Sequence, residues 1–191
     1  MARRTDHTRE ELTQLAIDCG RKLVTDGGPG ELTARKVAQA MGYTPGTLYN
    51  LFENIDALAA AINRDTLEQF AETIAAIISL SKTPTSKLTR ICQAYLELKH
   101  AQPHLWSLLF ATPITYESEA YSAAIHKVFD QVTAAIRPLS ESDASARQDA
   151  KIIWSTLHGI CLLQQSGKLD VTEADPAQAL VARFLEQFLA R

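Results

Sequence analysis

Long hydrophobic runs are absent from this 191-residue sequence, whose uninterrupted apolar stretches, such as Ala57–Ile62 and Ala75–Ile78, span only a few residues. A membrane-spanning helix needs roughly 18 or more such residues, so the sequence predicts no membrane segment. The segment Met1–Glu11 is polar and lacks the hydrophobic region of a secretory signal. We therefore expect a cytoplasmic protein without a membrane partner.

Cysteine is also scarce. Cys19, Cys92 and Cys161 are odd in number, lie far apart and form no C-x-x-C pair, which argues against a disulfide framework and a cysteine zinc site. Each lies in an apolar helical pattern, so we predict three buried thiols. No His, Asp or Glu cluster has the spacing of metal ligands, and the sequence therefore predicts neither a metal nor a cofactor.

A large excess of charge of one sign is missing as well. The net charge is −3, and the proportions of 46% hydrophobic and 21% charged residues are those of an ordinary globular protein. Residues 1–52 contain seven Lys and Arg against six Asp and Glu, whereas residues 53–191 contain twelve against sixteen. Neither part has a broad basic field, so any contact with nucleic acid must be local and geometric.

Strand-like alternation of apolar and polar residues is absent, and apolar residues recur with helical spacing between Gly and Pro breakers. The pattern predicts an all-α fold of about nine helices, the first of which begins with a capping box formed by Thr8 and Glu11. The predicted helices cover residues 8–26, 33–40, a short segment from 44, 54–80, 85–101, 103–110, 118–136, 142–165 and 176–190.

The most informative stretch is residues 32–52, where two short predicted helices meet at a turn centred on Gly42. Glycine suits the left-handed conformation that ends a helix, and the small Ala38 allows the two helices to cross closely. Thr44 followed by Pro45 is a favourable helix start. This pattern predicts a helix–turn–helix, whose second helix enters the DNA major groove, about 12 Å wide.

The identities of these residues resemble one family closely. The sequence Thr44-Pro-Gly-Thr-Leu-Tyr-Asn-Leu-Phe-Glu-Asn-Ile-Asp-Ala-Leu58, with the preceding residues 33–42, is similar to the DNA-binding domain of the tetracycline-repressor (TetR) family. Further along, residues 154–159 resemble the Trp/His-Gly element of one TetR subgroup. The resemblance implies a helix–turn–helix three-helix DNA-binding domain over residues 1–53 and a helical ligand-binding and dimerisation domain over residues 54–191.

The resemblance also implies which residues meet DNA. Arg35 is the best candidate for a bidentate guanine contact, and Asn50 pairs with adenine or touches the backbone. Thr44 and Thr47 offer hydroxyls and free amides to phosphate. The expected DNA-binding residues are Thr33, Arg35, Thr44, Pro45, Gly46, Thr47, Tyr49 and Asn50.

Two positions depart from the family pattern. Ile55 replaces the usual Lys at the start of the fourth helix, and Leu51 replaces an aromatic residue or His before Phe52. Both departures imply weaker non-specific DNA affinity, which three arginines of the N-terminal arm would partly offset. These are Arg3, Arg4 and Arg9.

Aromatic and His residues recur on helical faces in the second half of the chain. Trp154 and His158 are four residues apart, hence on one face, and Gly159 would let a neighbouring backbone approach. One interpretation is a cavity for a mostly apolar small-molecule effector; the other is that each ring simply fills the core. The expected ligand-binding residues are Tyr95, His100, Trp106, Phe110, His126, Trp154 and His158, with Tyr116 as a further polar group.

The last two predicted helices carry more apolar surface than a single helix pair needs, although they could also only close the monomer core. The resemblance implies that they form the interface of a homodimer, whose two-fold symmetry suits a double-stranded, pseudo-palindromic operator. The sequence thus predicts a ligand-responsive regulator, most simply a repressor. The alternative is the same DNA-binding domain controlled by a protein or redox signal, with one of the three cysteines as the sensor.

An enzyme is a weaker interpretation. His158 lies three residues before Cys161, so the two are neighbours on a helix. A nucleophile in the middle of a helix has no oxyanion donors, because the surrounding amides are already hydrogen-bonded. We predict no catalytic residues.

Overall fold

The computed structural model describes residues 7–111, 118–169, 171 and 175–190. Arg3, Arg4 and Tyr116 therefore lie outside the described residues. Within those ranges the chain forms nine α-helices and two 3₁₀ turns, Pro29–Glu31 and Arg137–Leu139, and no strand, which confirms the all-α prediction. The helices are α1 Arg9–Gly27, α2 Ala34–Met41, α3 Pro45–Leu51, α4 Ile55–Leu80, α5 Pro84–Ala101, α6 Pro103–Ala111, α7 Glu119–Ile136, α8 Asp143–Gln165 and α9 Ala177–Leu189.

Local capping explains where the first helices begin. The predicted capping box of α1 is present: the Glu11 amide donates to Thr8 Oγ1 at 3.2 Å, and the Thr8 amide donates to Glu11 Oε2 at 2.7 Å. Thr33 caps α2 by accepting from the Lys36 amide at 3.3 Å. Thr44 occupies the same position before α3, but its side chain makes no capping hydrogen bond.

The chain divides into two compact units, residues 1–67 with 102–124 and residues 68–101 with 125–191. This division follows spatial proximity and assigns α6 to the same unit as α1–α3. The functional boundary between residues 53 and 54 is a separate prediction, which rests on the resemblance of the N-terminal segment.

The core of the first unit is built around α1. Ala16, Ile17 and Val24 of α1 are buried, with at most 3% of their surface exposed. Two leucines of α6, Leu105 and Leu108, belong to the same core. The other buried members are Leu32, Val37, Met41, Leu48, Leu58, Ala59 and Ile62.

In the second unit α5 packs against α8 and α9, and α8 packs against α9. Cys92 and Cys161 are fully buried there, as predicted, whereas Cys19 in the first unit is only half-buried. The prediction of a buried thiol is therefore wrong for Cys19, which lies at the edge of the apolar face of α1. No helix in the described part of the chain is both long and apolar enough to cross a membrane.

Candidate nucleic-acid interface and effector site

The turn between α2 and α3 has the geometry that the sequence predicted. Gly42 adopts a left-handed conformation with φ 74°, and the amide of Tyr43 donates to the carbonyl of Ala38 at 2.9 Å. Ala38 is buried between the two helices. Leu48 is also buried and holds α3 against the core, so the opposite side of this short helix faces outward.

The outward side of α3 carries most of the expected DNA-binding residues. Tyr49 is 56% exposed, and Asn50 is exposed beside it, whereas Thr47 is half-buried. A Cβ atom added to Gly46 would meet only Thr44 Oγ1, at 3.7 Å, so the backbone there is open to an approaching partner. The remaining residues of the expected set, Thr33, Arg35, Thr44 and Pro45, are exposed as well.

One expected feature of this surface is wrong. The amide of Thr47 donates to the carbonyl of Thr44 at 3.0 Å, so it is not free for phosphate. The hydroxyls of these two threonines lie 3.3 Å apart and form a hydrogen bond. Thr44 and Thr47 can therefore offer their hydroxyl groups to DNA, but the Thr47 amide is already used.

The local charge pattern singles out Arg35. Lys36 is held in an ion pair by Glu31, and Lys22 forms an ion pair with Asp26 at 3.2 Å. Arg35 forms no ion pair with any residue that the structure describes, and its side chain is exposed at the start of α2. It is therefore a cation available to an anionic partner at the helix–turn–helix.

The two departures from the family pattern have a structural explanation. Ile55 and Leu51 are both partly buried and pack against the core of the first unit. Both side chains therefore add apolar contact to that core.

The expected ligand-binding residues fall in both units. Trp106 and Phe110 belong to the first unit, where their ring centroids lie 5.0 Å apart. Trp106 is buried, with 1% of its surface exposed. In the same unit, the buried Asn63 side chain donates to the carbonyl of Leu108 at 3.2 Å.

In the second unit, three expected residues form a continuous series of contacts with two phenylalanines. The Tyr95 hydroxyl forms a hydrogen bond of 3.3 Å with His158 Nδ1. The His158 ring stacks on Trp154 with centroids 6.0 Å apart, and Trp154 meets Phe129 edge-on at 5.7 Å. Phe70 contacts Tyr95 edge-on at 6.2 Å. We call these five residues the ring row.

Burial affects the protonation of one member of the ring row, His158. It lowers the pKa of His158 below its ordinary value, which favours the neutral imidazole near pH 7. In a neutral imidazole, Nδ1 can accept a hydrogen bond from the Tyr95 hydroxyl while Nε2 carries the ring proton. The row is therefore an uncharged series of rings with two polar groups, of which Phe70 and Tyr95 are buried and Trp154 is exposed.

The other two expected histidines lie apart from the ring row. His100 is exposed near the end of α5, and His126 is exposed on α7. His126 borders a surface groove of about 410 Å³ in the second unit, which was not predicted from the sequence. The other residues that line the groove are Phe129, Asp130, Thr133, Arg147 and Lys151.

The outward face of α8 is unusually apolar. Ile152, Leu162 and Leu163 are 44%, 51% and 44% exposed. A Cβ atom added to Gly159 would meet no heavy atom within 4 Å, so the expectation that Gly159 admits a neighbouring backbone is not met within the described chain.

The three thiols lack the features of reactive cysteines. Burial raises the pKa of Cys92 to about 12 and also raises the pKa values of Cys19 and Cys161. Lys99 near Cys161 acts in the opposite direction, but burial outweighs it. A raised pKa reduces the fraction of reactive thiolate. Among the described residues, no group of three or more potential ligands could hold a metal ion.

Comparisons with known proteins agree with this architecture. Residues 88–188 match the family model "Tetracyclin repressor-like, C-terminal domain", and residues 16–62 match "Bacterial regulatory proteins, tetR family". A curated relative, the "Uncharacterized HTH-type transcriptional regulator Rv0681" of Mycobacterium tuberculosis, is 23% identical over 148 residues, which cover 78% of this chain and 67% of the relative.

Solved structures share the fold at low sequence identity. A protein of unknown function from Rhodococcus sp. RHA1 has a TM-score of 0.77 at 16% identity, covering 99% of this chain and 98% of that one. The transcriptional regulator FadR from Bacillus subtilis, in complex with stearoyl-CoA, has a TM-score of 0.72 at 15% identity, covering 93% and 97%. A TetR-family regulator from Agrobacterium tumefaciens has a TM-score of 0.67 at 18% identity, covering 94% and 98%.

Proposed function

Because this chain belongs to the TetR family and is a DNA-binding transcriptional regulator, we propose that it is a repressor released from a pseudo-palindromic operator by a small-molecule effector. The DNA-binding part would be residues 1–53, and the ligand-binding and dimerisation part would be residues 54–191. The observation that carries this proposal is the exposed side of α3, where an aromatic ring and an amide stand outward beside an open Gly46 backbone.

Each residue at this surface has a proposed role. Arg35 contacts a base edge, most favourably guanine, and Asn50 lies nearest the bases with Pro45 and Gly46. The hydroxyls of Tyr49 and of the threonines at positions 33, 44 and 47 contact phosphates, which set the register of the protein on the duplex. The Thr33 hydroxyl already accepts from the Lys36 amide and would contact phosphate as a donor.

The protein would act as a homodimer through α8 and α9. Support comes from the exposed apolar residues Ile152, Leu162 and Leu163 on α8, which a second copy would cover. Phe184 on α9 is half-buried and could extend the same surface. A two-fold dimer presents two copies of α3 to the two halves of an operator.

The effector would bind in the C-terminal part, with the ring row as its main contact surface. Tyr95, Trp154 and His158 supply rings and two polar groups, which suits a mostly apolar molecule. The similarity to a FadR solved with stearoyl-CoA supports an effector with an apolar portion. Binding that favours a conformer unable to match the operator needs a coupling of only about 1–3 kcal/mol.

The test is the affinity of the purified protein for promoter DNA from beside its own gene, measured by fluorescence anisotropy at fixed salt. We expect the double variant Arg35→Ala/Tyr49→Ala to bind at least about 30-fold more weakly, since one lost bidentate base contact alone costs about 1–3 kcal/mol.

The matched control is Arg90→Ala, an exposed arginine on α5 outside the proposed interface. It should bind DNA like the unmodified protein. If the double variant and the control bind promoter DNA equally tightly, the assignment of the DNA-binding surface is wrong.

A further inference from the structure

One face of α8 combines two rings already assigned to the effector with two basic side chains that the proposed function does not use. Lys151, Trp154 and His158 follow Arg147 by four, seven and eleven residues. With 3.6 residues per turn, these four positions share one side of the helix. The basic pair comes first along the helix and the rings follow.

The basic end of this face borders the groove, and the aromatic end belongs to the ring row. Arg147 and Lys151 line the groove together with His126 of α7, and Phe129 lies in both the groove and the ring row. The groove has a volume of about 410 Å³ and is lined by one aromatic residue and five polar or charged residues. Phe129 therefore connects the groove, with its two basic side chains, to the uncharged rings of the ring row.

The charges at the groove favour an anion. Two permanent cations, Arg147 and Lys151, and the imidazole of His126 stand against a single carboxylate, that of Asp130. Asp130 lies 3.8 Å from Arg147, and both side chains are more than 60% exposed, so this ion pair is weak and can rearrange at little cost. Lys151 forms no ion pair within the described part of the chain.

We propose that this groove is a subsite for the anionic group of an amphiphilic effector whose apolar part lies along the ring row. The arginine and lysine bind the phosphate, sulfonate or carboxylate group, with Thr133 as an additional hydroxyl donor. Phe129 and Trp154 cover the adjoining apolar portion. The inference rests on the proposed effector function and narrows the chemical class from a mostly apolar molecule to an anionic amphiphile.

The experiment compares two fluorescent probes with the same rings, anilinonaphthalene sulfonate and its uncharged analogue N-phenyl-1-naphthylamine. Their affinities for the full chain are measured by fluorescence titration. In the double variant Arg147→Met/Lys151→Met, we expect the ratio of sulfonate to neutral-probe affinity to fall about fivefold or more, because two exposed ion pairs are lost. Affinity for the neutral probe should stay unchanged.

The matched control is Lys82→Met/Arg90→Met, which removes the same charge from exposed positions of the second unit outside the groove. Its affinity ratio should equal that of the unmodified protein. An unchanged ratio in the groove variant, an equal fall in the control, or no sulfonate binding by the unmodified protein would each overturn the proposal.

A further variant tests where on the protein the two probes bind. Phe129→Ala should weaken both probes, because the ring row supports the apolar part of each, and unchanged affinity for both would place binding elsewhere and overturn the subsite. DNA binding without probe is measured on the same samples. If the unmodified protein does not bind promoter DNA, the proposed repressor function is wrong. The subsite is tested separately, by the ratio of sulfonate to neutral-probe affinity.

Discussion

At the scale of single residues, Gly20 on α1 lies where the core of the first unit leaves no room for a side chain. A Cβ atom at this position would lie 2.9 Å from Ile62 Cδ1 and 3.1 Å from Leu32 Cδ1, both of which belong to that core. Real Cβ atoms essentially never approach another atom as closely as 2.9 Å, so the Ile62 side chain would have to move, and Leu32 would have to give by a few tenths of an ångström.

We therefore expect Gly20→Ala to lower the free energy of unfolding by about 1–2 kcal/mol. Overpacking costs about 1–3 kcal/mol, and the better helix propensity of Ala returns up to about 1 kcal/mol. Urea denaturation followed by circular dichroism measures the change. Gly30→Ala, where an added Cβ would meet nothing within 4 Å, is the control and should have little effect. Equal stability of both variants would contradict the close packing.

Residue-level predictions succeeded where local chemistry decides the outcome. The capping box at Thr8 and the left-handed Gly42 depend on neighbouring residues only. The hydrogen bond from the Thr47 amide to the Thr44 carbonyl could not be predicted, because it depends on the detailed backbone geometry at the start of α3. The position of the Lys99 ammonium near Cys161 could not be predicted either, because it depends on how two distant helices pack. The spacing of Arg147 and Lys151 to Trp154 predicts that the three side chains share one face of α8. That face points to a groove only once the structure shows that residues of α7 line it as well.

Among the helices, α6 has the least expected position. Its leucines Leu105 and Leu108 are 4% and 3% exposed and complete the core formed by α1, α2, α3 and α4. At its start, His104 Nδ1 donates to the carbonyl of Thr25, near the end of α1, at 2.9 Å. The part of the chain that carries the helix–turn–helix is thus stabilised by residues about 50 positions after the start of α4.

We expect Leu108→Ala to lower the stability of the protein by about 2–4 kcal/mol, because it leaves a cavity in this core. The control is Leu80→Ala at the end of α4, where the side chain is 70% exposed and the cost should stay within about 0.5 kcal/mol. Thermal and urea denaturation measure both. A loss no larger at Leu108 than at Leu80 would show that α6 does not support the core.

Helix existence was predictable from the sequence, whereas helix partners were not. The nine helices of the described residues were all expected, because each has its own apolar periodicity and its own breakers, and the structure confirms them. The nine residues of α6 are apolar on most sides, so their pattern does not specify which side meets a neighbour or which helix it meets. The packing of α6 on α1 therefore needed the structure.

At the scale of the whole molecule, the family could be predicted from the sequence, because the resemblance in the helix–turn–helix includes residues of its exposed side as well as of its core. The effector site was less predictable. Trp106 and Phe110 belong to one unit, and Tyr95, Trp154 and His158 to the other, although all five show the same helical recurrence of aromatic and His residues. Aromatic spacing alone does not distinguish a ring that fills a core from one that contacts a ligand.

A chain with so small a net charge would bind DNA through the geometry of a local surface and not through a broad electrostatic attraction. With a net charge of −3, the proposed DNA affinity would come from the local arrangement of Arg35 and the outer side of α3, presented twice by the proposed dimer. Non-specific attraction to DNA should therefore be weak, and protection of DNA should be confined to the two half-sites.

Hydroxyl-radical footprinting of promoter DNA tests this claim most directly. The account predicts two protected segments on one face of the duplex, with centres one helical turn of about 34–36 Å or a multiple of it apart. Both should disappear together in Arg35→Ala/Tyr49→Ala and persist in Arg90→Ala. Continuous protection without a two-fold pattern, or a paired footprint that survives the double substitution, would contradict the account.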